Sequence, residues 1–519
     1  MSTRLSAFVA ALLLAATARV PAQSRSFDLL TVSVADIQAA VAAGALTYER
    51  LVTLYLARID AYDKKGPRLN AIIEINPRAL ETARALDAER RRSGLRSPLH
   101  GIPIAVKDNI DVSDLPSAGG NIALAGTLPP RDATVIRRLR EAGAIIFFKT
   151  NMDELALGNQ GLSSLGGQIL SPYDLTRDPG GSSGGTGVSV TVGFAPIGIG
   201  TETGVSIRSP ASNNALVGIA PTQGLVSRAG VLPISFTQDR VGPHAKSVAD
   251  AALLLTWLRG IDPDDLFTAD SAGKVDPRPY TEYLSTGSFT GRIGVLRELF
   301  RPGAEFAEGS ALVDRQIEVM RRQGAVIVDG LTTGTHLVDR FPTLRVNDFE
   351  LRVTLDAYLA RRGPGSPVKS LAELIASGKF LKSLEPRLRQ ALAVGPLDTD
   401  AEYLSRLKAR AANRQALIDL MDRNAVEVLV YPFKSLGAPL VGDGDRGPRD
   451  NPLSSVTGLP AMVVPAGVTK EGLPIAIELL GRPFGEPALI RVASAYENVT
   501  HARVAPSTTP HLPGETFVY

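Results

Sequence analysis

The part of the sequence best suited to chemistry is a glycine- and serine-rich segment, Pro179-Gly180-Gly181-Ser182-Ser183-Gly184-Gly185-Thr186-Gly187. It lacks the Gly-Lys-Ser/Thr ending of a phosphate-binding loop and the G-x-G-x-x-G pattern of a dinucleotide-binding turn. Residues 180–184 do match G-x-S-x-G, the nucleophile elbow of α/β-hydrolases, in which a serine attacks a carbonyl carbon. No buried strand precedes the segment at 175–179, however, and no histidine follows in a persuasive triad order. Taken alone, the segment fits either a serine nucleophile or a flexible loop.

Other motifs flank this segment along nearly the whole chain. They are Gly101–Asp108 and Thr150–Glu154 before it, and Gly200–Ala211, Gly218–Thr222, Gly224–Arg228, Gln238–Pro243, Asn451–Ala461 and Gly472–Glu486 after it. In this order, and with these separations between Lys107, Ser182 and Ser206, the sequence resembles the amidase signature family. One short motif is prone to false matches, but an ordered series of them is far more specific.

The resemblance implies a serine amidase with a Ser–Ser–Lys triad. Ser206 would be the nucleophile, Ser182, held by a cis peptide bond, would pass the proton on, and Lys107 would be the base. A serine hydroxyl is a weak nucleophile until a base takes its proton, so Lys107 must be neutral. The pKa of a free lysine is about 10.4 and must therefore fall by roughly three units. Because Lys107 follows the apolar run Ile102–Val106, burial is the expected cause.

The same resemblance assigns the oxyanion hole to consecutive backbone N–H groups, which would stabilise the charge of the tetrahedral intermediate. These groups belong to Thr203, Gly204, Val205 and Ser206. Ser183 and Arg208 are expected to support the catalytic loops by hydrogen bonding and ion pairing. Four further residues are candidates for orienting the triad, with a surface or capping role as the alternative for each: Asp108, Asn109, Glu202 and Asp239.

The sequence departs from the family pattern at three positions. Val205 stands where the family usually has glycine, and a β-branched residue is costly if that position needs a positive φ. Ala220 replaces a lysine that lies outside the triad, and Glu202 replaces the commoner aspartate. The glutamate, the Gly166–Gln168 block and the Pro233–Asp239 block resemble the peptide-amidase-like branch of the family.

The elements around these motifs predict an α/β protein. The apolar runs Ile102–Val106 and Ala144–Phe148 indicate buried strands, and Ala133–Ala142 between them indicates a helix. Continuous apolar strands that alternate with helices are typical of a sheet covered on both faces. The resemblance makes this the amidase signature fold, a large twisted mixed β-sheet with helices on both faces. We expect a single domain over residues 23–519.

The remaining elements are predicted from capping signals and hydrophobic periodicity. Ser33 and Asp36 form a capping box at the start of one helix, and another helix should begin after Thr47. Residues 158–245 are expected to be loop-rich, because glycine, serine, threonine and proline dominate them. Helices return over 246–430. Further predicted elements are a helix at 79–92, strands at 291–296, 325–328, 427–431 and 461–465, and a helix at 488–496.

Composition excludes several classes of site. The chain has no cysteine, which rules out a thiol nucleophile, a disulfide framework and a cysteine-ligated metal. No two of the five histidines have the spacing of a helical metal pair, so we expect neither a metal nor a cofactor. The formal charge of +3 gives no reason to expect a nucleic acid or a membrane surface as partner. The expected partner is a small-molecule or peptide amide substrate.

The N-terminus has the pattern of a secretory signal peptide. Arg4 precedes the apolar stretch Leu5–Ala16, and small residues around Ala18 and Ala22 fit a cleavage site. The alternative is a membrane anchor, but this stretch is too short to span a bilayer comfortably. We therefore predict that residues 1–22 are removed and that the protein is secreted or periplasmic. No lipobox cysteine is present.

The predicted function is hydrolysis of carboxylic or peptide amide C–N bonds, with peptide amides and aryl or alkyl amides favoured as substrates. One alternative within the family is the glutamine-hydrolysing subunit of a tRNA-dependent amidotransferase. Esterase or urethane hydrolysis by the same triad, an α/β-hydrolase-type esterase and a catalytically inactive binding protein are the others. The pocket walls are expected from residues 120–165 and from the helical region 300–430, whereas the sequence gives no oligomeric state.

Overall fold

The computed structural model describes residues 25–285, 287, 291–443 and 450–519. Its strands are β1 (Ser26–Asp28), β2 (Ile72–Ile75), β3 (Pro103–Lys107), β4 (Ile145–Thr150), β5 (Leu162–Ser163), β6 (Gly167–Gln168), β7 (Ile197–Glu202), β8 (Val217–Ala220), β9 (Arg240–Ala245), β10 (Arg292–Leu296), β11 (Val326–Leu331), β12 (Val428–Pro432), β13 (Ala461–Val468), β14 (Pro474–Leu480) and β15 (Thr516–Val518). Its helices are α1 (Val34–Ala42), α2 (Tyr48–Tyr62), α3 (Ala79–Ser93), α4 (Thr134–Glu141), α5 (Gly184–Thr191), α6 (Arg208–Asn213), α7 (Val248–Leu258), α8 (Ala307–Arg322), α9 (Leu337–Arg340), α10 (Asn347–Arg361), α11 (Leu371–Ser377), α12 (Glu385–Leu392), α13 (Ala401–Arg423), α14 (Leu453–Thr457) and α15 (Glu486–Thr500).

A mixed sheet of eleven strands organises the chain, in the order β11-β10-β12-β14-β13-β8-β9-β7-β3-β4-β2. Strand β3 lies between β4 and β7 and runs parallel to both. The strands from β7 through β9, β8, β13 and β14 to β12 pair antiparallel. Two small antiparallel sheets of two strands each, β1 with β15 and β5 with β6, are separate from it.

The central strands are covered on both faces, as their sequences predict. Every residue of β3, β4, β7, β8 and β9 is buried. Since successive side chains of a strand point to opposite faces, complete burial means that helices or loops cover both faces. The predicted architecture, a large mixed sheet flanked by helices, is confirmed. So are the predicted helix starts, because Ser33 and Asp36 form a capping box and Thr47 caps α2.

The expectation that residues 158–245 are loop-rich is wrong for the second half of that range. Helices α5 and α6 and strands β7, β8 and β9 all lie within residues 184–245. Their glycines permit close packing between elements. A Cβ on Gly198, for example, would lie 2.7 Å from the methyl group of Thr186 on α5. The small residues that suggested loops therefore belong to the most tightly packed centre of the sheet.

A second hydrophobic core joins the helical region to one side of the sheet. Leucines of α10, α11 and α12, including Leu355 and Leu388, pack with Leu155, Leu232 and Ile234 from the loops beside β4 and β9. This packing holds the helical region 351–391 against the loops that follow β4 and precede β9. It thus provides one wall of the space in which the predicted site lies.

The predicted signal peptide, residues 1–22, lies outside the described residues. The single-domain organisation from residue 23 onward likewise stays a prediction. Among the residues that the structure describes, no helix combines the length and apolar composition that a membrane crossing requires.

Candidate active site

Lys107 is the last residue of β3, which is paired on one side with β4 and on the other with β7. Its side chain is 0% exposed. The Nζ atom lies 2.7 Å from Ser182 Oγ and 2.9 Å from Thr201 Oγ1, and it donates to Thr201 O at 3.3 Å. The sheet places these groups together because β3 and β7 are neighbours and both end at this point.

Burial lowers the pKa of Lys107 to about 7, although the negative charges of Asp153, Asp239 and Glu202 oppose the shift. None of these carboxylates contacts the amine directly among the described residues. Desolvation therefore dominates over ion pairing. An amine with this pKa is substantially neutral near neutral pH and can accept a proton.

Ser182 lies in the loop between β6 and α5, and its side chain is completely buried. The Gly181–Ser182 peptide bond is cis, as the family resemblance implies. Neighbouring loops hold this segment: Gly181 N–H donates to Asn159 Oδ1 at 2.8 Å, and Asp153 N–H donates to Ser182 O at 3.2 Å. A Cβ on Gly181 would lie 1.9 Å from Asp153 Oδ2, so only glycine fits there.

Ser206 lies between β7 and α6 and lines a cavity of about 470 Å³. Its carbonyl accepts a hydrogen bond from Ser183 N–H at 3.2 Å, which joins the two serine-bearing loops. Among the described residues, no hydrogen bond joins the Ser206 hydroxyl to Ser182 or to another side chain. The hydroxyl therefore faces the cavity with its hydrogen-bonding capacity unused.

The backbone before Ser206 presents free N–H groups to the same cavity. None of the N–H groups of Thr203, Gly204, Val205 and Ser206 donates a hydrogen bond within the described part of the chain. Val205 has no positive φ, so its β-branched side chain causes no backbone strain. Its side chain is half-buried and packs against the hydrophobic cluster to which Phe433 and Ala476 belong. The replacement of glycine by Val205 therefore leaves the backbone geometry intact.

A buried network of charges holds the turn between β7 and α6. Arg208 pairs with Glu202 at 3.0 Å and with Glu478 at 2.8 Å, and Arg240 pairs with Glu202 at 2.6 Å. Burial opposes ionisation of Glu202, but the two guanidinium groups outweigh it and hold the pKa of that carboxyl below its usual range. Glu202 also accepts from the N–H groups of Ile207 and Arg208. The predicted supporting roles of Glu202 and Arg208 thus correspond to direct contacts with the loop that carries Ser206.

Two further predicted residues contact Thr201, which in turn contacts Lys107. Asn109 Nδ2 donates to Thr201 Oγ1 at 3.0 Å, and Ser183 Oγ donates to Thr201 O at 3.2 Å. The side chain of Thr201 is buried beneath the site. Asn109 and Ser183 therefore orient the groups that surround the amine.

Asp239 holds the oxyanion segment from the opposite side. Its Oδ1 accepts from Thr203 Oγ1 at 2.6 Å, and its Oδ2 accepts from the N–H groups of Ile234 and Ser235. The neighbouring Gln238 donates from Nε2 to Thr203 O at 2.9 Å, and its Oε1 accepts from Val346 N–H at 2.9 Å. Gln238 thus links the helical region to the turn before Ser206.

Asp108 follows Lys107 in the sequence, but its carboxylate faces Lys149 instead. Its carboxylate accepts from Gly120 N–H at 2.9 Å and from Ala118 N–H at 3.2 Å, and it lies 3.8 Å from Lys149 Nζ. The structure thus places Asp108 behind the site, facing β4. Unlike Ser183, Arg208 and Asp239, Asp108 has no described hydrogen bond to the triad or to the oxyanion segment.

The cavity confirms part of the predicted walls and adds another. Its lining includes Ala156–Gln160 and several residues of 338–347, within the regions expected to shape the pocket. It also includes Asp178, the α6 residues Ser209 and Asn213, and residues of 434–455, which the sequence analysis did not identify. A second hollow, of about 590 Å³, lies between α8 and α15, and none of its lining residues belongs to the predicted site. Chemistry rather than volume therefore identifies the site.

Sequence reasoning missed several residues that complete the site. Thr201, Gln238 and Glu478 all lie within motifs that were used to identify the family, so the motifs marked them without giving their roles. Lys149 follows an apolar run as Lys107 does, and this shared pattern could have indicated a second buried lysine. Asp178 and Asn213 carry no motif, and only the fold brings them to the cavity.

Comparison with known proteins identifies the family. The family model described as Amidase matches residues 50–490. A probable amidase of Arabidopsis thaliana is 35% identical over 503 residues, and 93% of each chain is covered. A glutamyl-tRNA(Gln) amidotransferase subunit of Chloroflexus aggregans is 37% identical, covering 91% of this chain and 96% of that one. The native peptide amidase of Stenotrophomonas maltophilia has a similar solved structure, with 38% identity, a TM-score of 0.83 and coverage of 92% and 98%.

The family match extends over most of the chain, and the relatives are covered almost completely. The eleven-stranded mixed sheet agrees with the fold of the solved peptide amidase. The chain therefore belongs to the amidase signature family and is an amide-hydrolysing enzyme.

Proposed function

We propose that the protein hydrolyses amide bonds through an acyl-enzyme formed on Ser206, with Ser182 and Lys107 relaying the proton. One observation carries this proposal: the Lys107 amine lies 2.7 Å from the Ser182 hydroxyl in a fully buried position. Burial lowers the pKa of this amine to about 7. Among the described residues, no other titratable side chain forms a hydrogen bond with the hydroxyl of Ser182 or Ser206.

The hydrogen bonds around Lys107 leave its lone pair for Ser182. A neutral amine has two N–H groups and one lone pair. Thr201 O can only accept and takes one N–H group, and Thr201 Oγ1 takes the other. The lone pair then accepts the Ser182 proton, while Ser182 Oγ accepts the proton of Ser206.

The reaction then follows acyl-transfer chemistry. Ser206 Oγ attacks the amide carbon, and the free N–H groups of residues 203–206 stabilise the negative oxygen of the tetrahedral intermediate. Ser182 returns a proton to the leaving nitrogen as the C–N bond breaks. The same relay then takes a proton from a water molecule, which attacks the acyl-enzyme and releases the carboxylic acid and Ser206.

The substrate class proposed is a peptide amide or an aryl or alkyl amide. The similarity to the peptide amidase at 38% identity supports it, together with the Gly166–Gln168 and Pro233–Asp239 blocks. A second candidate, hydrolysis of glutamine within an amidotransferase complex, is favoured by the 37% identity to the Chloroflexus protein. We prefer the first because the N-terminus predicts export, where a tRNA-dependent partner would be absent. Hydrolysis of esters or urethanes would use the same triad and is an alternative to amide hydrolysis.

The test is hydrolysis of an amide panel by the mature protein and by Ser206→Ala. The panel contains an aryl anilide, a primary aliphatic amide, a peptide C-terminal amide and free glutamine. We expect turnover of at least one of the first three, and a fall in kcat of at least ~10³-fold in the variant. Turnover that survives in the variant would overturn the triad. Turnover of glutamine alone would favour the amidotransferase candidate.

Export is tested separately by the mass of the protein recovered from the periplasm or the medium. A chain that begins near residue 19 or 23 is expected. An intact N-terminus retained inside the cell would contradict the proposal.

A further inference from the structure

Among the described residues that line the cavity, Asn213 has a buried side-chain atom without a hydrogen-bond partner. Asn213, the last residue of α6, lines the cavity and is 2% exposed. Its Oδ1 has no hydrogen-bond partner, and no hydrogen bond of its Nδ2 is present among the described residues. An unpaired buried polar group costs roughly 1–3 kcal/mol of stability. A ligand that forms a hydrogen bond with this carboxamide would recover part of that cost.

Asn213 belongs to a polar group of residues next to the nucleophile. Ser206, Ser209 and Asn213 are spaced so that they follow one face of a helix, and all three line the cavity. Asp178 lines the same cavity from the loop that leads to Ser182, and it is 2% exposed. Asp178, Ser209 and Asn213 are below named the polar subsite.

Gly180 brings the three side chains of the polar subsite together. Its N–H donates to Asp178 Oδ1 at 2.9 Å. A Cβ on Gly180 would lie 2.9 Å from both Ser209 Oγ and Asn213 Nδ2. The loop and the helix therefore meet at this glycine, and the polar groups surround one small volume beside Ser206.

We propose that the polar subsite binds a primary ammonium group of the amide substrate. This inference rests on the proposed amide hydrolysis at Ser206. An ammonium group has three N–H donors. The subsite offers three acceptors: a carboxylate oxygen of Asp178, the Ser209 hydroxyl and the Asn213 carbonyl. Because no hydrogen bond fixes the Asn213 carboxamide, a half turn about its last torsion can present its oxygen to the cavity.

The cavity is lined by both cations (Arg345, Arg387 and Lys434) and acids (Asp178 and Asp450), and Asp178 is the one charged group of the polar subsite. The pKa of Asp178 is raised to about 7, mainly by burial, because the Gly180 N–H and the Lys434 charge lower it less than burial raises it, and the charges of Asp153 and Asp450 add to the rise. A bound ammonium group would replace the hydration that this carboxylate has lost. Asp178 would then be ionised in the complex, with the ligand charge as its partner.

The test is the binding of two matched pairs of amides to Ser206→Ala protein by calorimetry. One pair, 6-aminohexanamide and heptanamide, carries the ammonium or a methyl group on the acyl side. The other pair, N-(4-aminobutyl)acetamide and N-pentylacetamide, carries it on the amine side. We expect at least tenfold tighter binding of the charged member in one of the pairs. Equal or weaker binding of the charged members, or no binding of any of the four, would overturn the proposal.

Variants identify the residues responsible. Asp178→Asn keeps the acceptor for Gly180 N–H but removes the charge, and it should reduce the preference for the charged amide at least tenfold. Asp174→Asn makes the same change in the same loop outside the cavity and should leave the preference unchanged. Asn213→Leu should reduce the preference several-fold while it raises Tm, because it removes an unpaired polar group. A preference that survives in Asp178→Asn would exclude this subsite.

The proposed function fails in a different way. If the otherwise native enzyme hydrolyses heptanamide and Ser206→Ala does not, amide hydrolysis stands whatever the charge preference. If Ser206→Ala hydrolyses the neutral amides, the proposed catalytic role of Ser206 is wrong, whatever the charge preference measured for the polar subsite.

Discussion

Two buried lysines lie at the ends of neighbouring strands of the sheet, and they differ in what surrounds them. Lys107 on β3 contacts hydroxyl and carbonyl groups that lead to the cavity. Lys149 on β4 contacts Ser117 and the carbonyl of Ile110, and it faces the carboxylate of Asp108. Burial lowers the pKa of Lys107 to about 7 and that of Lys149 to about 8. Burial thus lowers both values, and contact with Ser182, whose loop is hydrogen-bonded to the Ser206 loop, distinguishes the base from the structural cation.

The largest expected effect comes from Lys107→Met. Removing the base should lower kcat by at least ~10³-fold, because Ser206 then has no proton acceptor. The same variant should have a higher free energy of unfolding at pH 7. The pKa of the amine is about 7 in the folded protein, against an ordinary value of 10.5. Burial of this amine therefore lowers the free energy of unfolding of the wild type, and the penalty has its full size below pH 7. This penalty disappears as the pH rises toward 10.5. Steady-state kinetics and denaturant unfolding measure the two effects, and a less stable variant would contradict the second.

Lys149→Met should have the opposite effect on stability. It leaves Asp108 buried without its cation and removes the donor to Ile110 O and Ser117 Oγ. Breaking a buried charge pair in this way costs about 3–5 kcal/mol in the free energy of unfolding. Urea unfolding of this variant and of Lys107→Met, under the same conditions, provides the matched comparison. Equal stability of the two variants would remove the distinction between the lysines.

The pH dependence of kcat/KM separates the lysines further. If the neutral amine of Lys107 is the base, kcat/KM should fall about tenfold per pH unit below an apparent pKa of about 7. Above that value it should reach a plateau, because the amine is then neutral. An inflection near 8 would instead point to Lys149, whose pKa is about 8. The profile should be measured with a neutral amide, so that Asp178 does not contribute.

The smallest effect is expected from Val205→Gly. Because Val205 has no positive φ, glycine relieves no backbone strain. We expect kcat within about twofold of wild type and a loss of roughly 0.5–1 kcal/mol of stability from added backbone freedom. Kinetics with the amide panel would check this. A large gain in kcat would show that the valine side chain, rather than the backbone, limits the oxyanion segment.

The sequence predicted the fold class and the assembly of the catalytic loops, because ordered motifs carry both. It failed where the meaning of a residue depends on packing. Glycines such as Gly198 suggested loops, although they allow α5 to pack on the sheet. The two lysines follow similar apolar runs, and only strand register shows which one contacts Ser182. Asp178 and Asn213 lie far apart in sequence, and their proximity depends on the fold around Gly180.

The bridge made by Gln238 has a consequence for how this enzyme can diversify. Gln238 reaches the helical region through the main-chain N–H of Val346, not through a side chain. Any residue except proline can supply that N–H group. Substitutions at the neighbouring cavity-lining positions 345 and 347 can therefore reshape the cavity while the link from the Val346 N–H through Gln238 to Thr203 remains. The helical wall is thus free to evolve toward new amides while the turn before Ser206 is inherited unchanged.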